Sequence, residues 1–93
     1  MLIGVCTIRI GIPNSFSLKD KRQVCLSLTT RIRQRFNVSV AEYADLDSYR
    51  WASFAIVSVN TEKSFLNSTL SKVVEFIKGE PSVVIEKYNT EIL

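Results

Sequence analysis

The hydrophobic period of this chain changes at Pro13-Asn14-Ser15, and that change limits the folds open to it. Before the turn, Cys6, Ile8, Ile10 and Ile12 alternate with Thr7, Arg9 and Gly11. A period of two predicts a half-buried strand over residues 2–12, although Val5 breaks the polarity of its outer face. Proline cannot continue a strand ladder, and Asn and Ser favour turns. After the turn, Leu18, Cys25, Leu28, Ile32 and Phe36 recur at helical spacing with Val24 beside them, predicting a helix over 17–36. Ser17 is its expected cap, because Ser17-x-x-Asp20 has capping-box spacing with Asp in place of Glu. Asn37, which tolerates the left-handed conformation, is its expected end.

The same punctuation recurs downstream. Residues 38–43 read as a strand, and Asp45-Leu46-Asp47-Ser48 as a polar loop. Residues 51–60 read as a strand apolar on both faces, with Phe54 and Ile56 on one side and Ala55, Val57 and Val59 on the other. A second helix is expected over 62–78, capped by Asn60 or Thr61 and turning Leu66, Leu70, Val73 and Ile77 inward. Gly79 and Pro81 stop it. A last strand over 82–88 fades into a polar tail. The order is βαββαβ in a single domain, 1–93. Right-handed crossovers then select an α+β, ferredoxin-like sandwich: a four-stranded antiparallel sheet, both helices on one face, the first and third strands central. The other face is left open, with Val5, Ala55, Val57 and Val59 on it and Val84 as a further member.

Charge adds a second signal. Residues 1–36 carry seven Lys/Arg and one Asp, a net +6, whereas 37–93 carry five Lys/Arg against eight Asp/Glu, a net −3. Six of the chain's twelve cations, Lys19, Lys21, Arg22, Arg31, Arg33 and Arg35, lie on the first helix. Lys19, Arg22 and Arg33 fall opposite its core stripe. Lys21, Arg31 and Arg35 fall at the stripe's margins, where long stems cover apolar surface and the charge reaches water. Lysines in a first turn oppose the helix dipole, a local rule broken in the way contact sites break rules. These six are the candidate contacts for an anionic partner, with Arg9 or Arg50 as additions. The plain alternative is a solvated basic face.

Other classes find less support. The chain has no histidine, and Cys6 and Cys25 have neither disulfide-framework nor metal-ligand spacing, so no metal or cofactor is expected. With free thiols, no leader and no apolar run long enough to cross a bilayer, a cytoplasmic protein without membrane attachment is expected. An enzyme of this element order that handles phosphate, such as an acylphosphatase, needs a glycine-rich loop with an arginine after the first strand. Residues 11–17 offer one glycine and no arginine. Asp45 and Asp47 read as solvated turn residues, and Ser17 as a cap. Glu42 stands at a strand end, where it can pair with a cation of the first helix. No catalytic residue is assigned, and a non-enzymatic protein is expected.

The blocks Ser17-Leu18-Lys19-Asp20-Lys21-Arg22 and Arg35-Phe36-Asn37-Val38-Ser39-Val40-Ala41-Glu42 resemble the YlxP-like bacterial family, a domain of unknown function. The resemblance spans essentially the whole chain and departs conservatively at Asp20, where the family has Glu. It implies a ferredoxin-like fold and, from the genes that usually neighbour the family, a link to RNA, the ribosome or its assembly factors. It carries over no catalytic residues. The leading reading is therefore a small module binding RNA or a ribonucleoprotein through the first helix. Base stacking on strands one and three is not expected, because strand one has no aromatic and Trp51 and Phe54 read as packing residues. The other reading is a protein-interaction or homodimerisation module using Val5, Ala55, Val57 and Val59, with no direct nucleic-acid binding.

Overall fold

The alternation in the first strand becomes a central element with two unlike faces. The computed structural model describes all 93 residues. Its elements are β1 (Leu2–Gly11), α1 (Leu18–Arg35), β2 (Ser39–Ala44), β3 (Trp51–Asn60), α2 (Lys63–Lys78) and β4 (Val84–Ile92). The sheet order is β2-β3-β1-β4 with every neighbour antiparallel. This is the ferredoxin-like arrangement. Cys6, Ile8 and Ile10 of β1 and Ala52, Phe54 and Ile56 of β3 bury against Leu28 and Ile32 of α1 and Leu70, Val73 and Ile77 of α2. Each large aliphatic so buried contributes about 1.5–3 kcal/mol. The β1–β3 register sets Val5 against Val57, Thr7 against Ala55 and Ile3 against Val59 on the opposite face, which no helix covers. No helix is long and apolar enough to cross a membrane.

Ser17, in extended conformation, caps α1 by accepting the Asp20 N–H at 3.0 Å. Asp20 Oδ2 reaches back one residue further than a capping box does, accepting from the Phe16 N–H at 3.0 Å. A cap of this kind contributes about 1 kcal/mol.

Several boundaries depart from the sequence reading. Asn37 is not left-handed; α1 ends at Phe36 in extended backbone, its N–H bonded to Ile32 O. Gly79 ends α2 in ordinary right-handed backbone at φ −76. Neither Asn60 nor Thr61 is the cap of α2: Glu62 takes that place without a side-chain bond, and Asn60 Oδ1 accepts from the Glu62 N–H. The tail is a strand, not a coil. β4 runs to Ile92, and Leu93 and Ile3 exchange two backbone hydrogen bonds. Polar tail residues suffice there because pairing with β1 needs only backbone, and one neighbouring strand provides it.

Leu18 is not the head of the α1 core stripe. It is exposed, and the buried line is Lys21, Cys25, Leu28, Thr29 and Ile32. A lysine occupies a core position, which shapes the candidate site.

Candidate functional site

The six cations of α1 fall into three environments. Lys21 is 3% exposed. Its Nζ donates to Asp45 O and Ser48 O, both at 2.7 Å, and lies 2.8 Å from Glu42 Oε2. That oxygen is closed off from solvent and accepts no directed hydrogen bond, so charge alone holds it to the ammonium. Lys21 thus clamps α1 to β2 and to the loop that follows. It is not a surface contact, which corrects the sequence reading of its side chain as one that reaches water. The expected pairing of Glu42 with a cation of the first helix is present, with Lys21 as the partner.

Arg31 and Arg35 turn toward α2. Arg31 Nη1 donates to Glu80 Oε2 at 2.7 Å, and this bond holds the Glu80 carboxyl below its ordinary pKa. Arg35 lies over the Phe76 ring, 5.2 Å from its centroid, and Phe76 meets Phe36 edge to face at 6.0 Å. Arg31 is therefore largely neutralised, whereas Arg35 keeps an uncompensated charge on an aromatic platform.

Lys19, Arg22 and Arg33 form the third set. All three are exposed, and none is in an ion pair. Arg22 and Arg33 line a groove between α1 and β2, with the exposed Leu26 between them. Eleven residues at 1.5 Å rise separate them by about 16 Å along the helix. Arg33 Nη2 also donates to Val40 O at 2.9 Å, which fixes the direction of its guanidinium. Asp20, the one acid of α1, turns back to the Phe16 N–H and neutralises none of the three.

A second polar cluster went unread in the sequence. Asp45 is no free turn residue; it holds the chain's one non-glycine positive φ, at 62°. Its carboxylate accepts from Arg9 Nε at 3.1 Å, from Arg9 Nη2 at 3.3 Å and from Ser53 Oγ. The Arg9 bonds, then the Ser53 bond, hold the Asp45 carboxyl below its usual range. Arg9 also pairs with Glu86 of β4 and stacks 4.1 Å from the Trp51 ring centroid. Arg9 is spent on this network and leaves the set of additional contacts. Trp51 lies over Gly11 under that guanidinium, while Phe54 is core, so no bare aromatic platform faces outward from β1 and β3. Arg50 donates from Nε to Ser15 O at 3.2 Å and stacks on Phe16 and Tyr49. The signal that would have found Asp45 is its position: Asp is among the few residues that accept a left-handed backbone at a hairpin.

Burial pushes the Cys25 thiol up to about 11, with the Glu42 charge adding to the effect, and burial raises Cys6 as well. Both cysteines are free. No three His, Cys, Asp or Glu side chains converge as metal ligands would. The dimer-face residues Val5, Ala55, Val57 and Val59 do share the uncovered face, on β1 and β3.

A family model described as "Protein of unknown function (DUF503)" matches residues 3–90. Over 82 residues the chain is 32% identical to the "Uncharacterized protein YlxP" of Bacillus subtilis (strain 168), an alignment covering 88% of this chain and 89% of that protein. With nearly its whole length matched by the family model and by this relative, the chain belongs to the YlxP-like DUF503 family.

Proposed function

We propose that the protein is a small non-catalytic module that contacts the phosphate backbone of RNA, free or within the ribosome or its assembly intermediates, through Lys19, Arg22 and Arg33. The observation that carries this reading is the separation of charges on α1. The structure neutralises Lys21 and Arg31 with carboxylates and leaves these three exposed without one. Phosphate contacts need cations on a common surface and no special fold. Arg35, on the α2 flank, is an additional contact where the RNA wraps the helix.

Fluorescence anisotropy against ribosomal RNA fragments across a salt series tests it. Three phosphate contacts predict a log–log salt slope of about −2 for single strands, and removing one cation should flatten it by about 0.7. Charge reversal at Lys19, Arg22 and Arg33 together should abolish binding and leave the circular dichroism spectrum unchanged. Absence of binding at low salt, or a slope unmoved by these variants, rejects the reading. A pull-down from lysate with and without nuclease separates RNA from protein partners.

A second reading is a homodimer through the uncovered sheet face. It is favoured by the register that sets Val5 against Val57 and Ile3 against Val59, beside Ala55, with Val59 54% exposed. Val57→Asp should then dissociate it.

A further inference from the structure

The two edges of the sheet are treated differently. At one edge, β2 is six residues long, is interrupted between Glu42 and Ala44, and has its Val40 carbonyl taken by Arg33. Such devices blunt an edge against strand addition. At the other edge, β4 runs nine residues, Glu86 to Glu91 are all exposed, and no side chain hydrogen-bonds to its backbone. The phase of this edge follows from one pair. Ile3 and Leu93 exchange both backbone bonds, at 3.1 and 2.7 Å. In an antiparallel ladder, bonded and non-bonded pairs alternate. Glu91, Asn89 and Lys87 therefore bond to β1, while Tyr88, Thr90 and Ile92 aim their N–H and C=O groups outward.

We infer that the β4 edge is filled by β4 of a second copy of this chain, antiparallel, about a two-fold axis at Asn89. Only outward-aimed residues can exchange bonds, so each admissible register moves in steps of two. With Asn89 opposite itself, Tyr88 of each copy bonds Thr90 of the other, giving about four bonds. The same register sets Lys87 of each copy opposite Glu91 of the other. Both pairs lie on the uncovered side of the sheet at non-bonded positions, where side chains approach closest. One step in either direction sets Lys87 against Asn89 or Leu93 and Glu91 against Ile85 or Asn89, and every charge pair is lost. The charges thus select one occupant and one register. The contact is self-complementary and closes at two copies, so it does not propagate as a fibre. It is separate from the α1 cations, and it differs from a face-to-face contact through Val57 and Val59 although Glu91 is the β4 neighbour of Val5.

Sedimentation equilibrium of the full chain, from micromolar to sub-millimolar concentration, tests it. The wild type should reach the dimer mass. Lys87→Glu turns two attractive pairs into repulsive ones and should weaken association about tenfold or more. Lys87→Glu/Glu91→Lys restores opposite charges and should restore the dimer. Thr90→Pro removes an outward N–H that bonds nothing in β1, and should give a folded monomer by circular dichroism. A wild type that stays monomeric overturns the inference. So does a charge swap that fails to rescue, or a dimer that survives Lys87→Glu and Thr90→Pro but dissociates on Val57→Asp.

Discussion

Lys21→Met should be the most damaging single change among the six cations of α1, although a basic helix invites the opposite expectation. The substitution keeps the apolar stem and removes an ammonium that is 3% exposed and faces Glu42 Oε2 and two loop carbonyls. It leaves the Glu42 carboxylate without a counter-charge. Breaking a buried ion pair from one side costs about 3–5 kcal/mol. Glu42 keeps 25% side-chain exposure, so the cost falls at the low end, about 3 kcal/mol. In a domain of this size each kcal/mol lowers Tm by about 4–8 °C, so a fall of about 12–24 °C is expected by circular dichroism melting at pH 7. Urea titration should show a lower midpoint at an unchanged slope. Lys21→Met/Glu42→Leu removes both charges and should recover most of the loss, giving a coupling energy above about 1.5 kcal/mol in the double-mutant cycle. A Lys21→Met protein within about 1 kcal/mol of wild type, or strict additivity in the cycle, refutes the clamp.

Glycine replacements should split by surroundings. At Gly79 a Cβ would meet nothing closer than 3.6 Å in right-handed backbone, so Gly79→Ala should stabilise by about 0.4–1 kcal/mol. At Gly4 it would lie 3.0 Å from Leu70 Cδ1 and 3.3 Å from Leu66 Cβ, so Gly4→Ala should destabilise by about 1–3 kcal/mol in the same urea assay. Neither Cys25, raised to about 11, nor the raised Cys6 should react quickly with a disulfide reagent at pH 8, and unfolding should release both thiols. Asp45 and Glu80 have folded pKa values below their unfolded ones. Their stabilisation is therefore complete above the ordinary carboxylate range and lost as pH falls through the depressed folded values. Asp45→Asn should flatten the acid limb of Tm against pH, and parallel limbs for the two proteins would refute that role.

Element order was legible because β1, α1 and α2 each carry one clear period and β3 is a continuous apolar run of strand length, and the topology follows from that order with few alternatives. The open face, with Val5 and Val57 together, was legible for the same reason. What the sequence did not disclose shares one physical cause. Lys21, Asp45 and the end of β4 past Tyr88 are polar positions satisfied by partners distant in sequence. Lys21 meets carbonyls 24 and 27 residues away, Asp45 meets an arginine 36 residues away, and β4 pairs with the first strand. Periodicity weighs the side chain itself and cannot see a partner across the fold, so each was read as solvated.

The buried lysine also decides what the exposed cations can do. A helix resting on a sheet through aliphatic side chains alone can roll about its axis at modest cost, because such contacts are non-directional. Lys21 ends that freedom, since its ammonium must meet two carbonyls and one carboxylate at fixed points on β2 and its following loop. Arg33 supplies a second directional tie on Val40, about three turns further along. Between these ties the azimuth of α1 is fixed, with Arg22 and Leu26 held over the β2 groove and Lys19 outward. The clamp thus links stability to the proposed recognition without touching RNA. Lys21→Met/Glu42→Leu, folded but without the directional tie, should lose affinity for RNA while keeping its salt slope, because its surface charges are all retained. A flatter slope would instead place Lys21 among the phosphate contacts and dissolve the division of labour on α1.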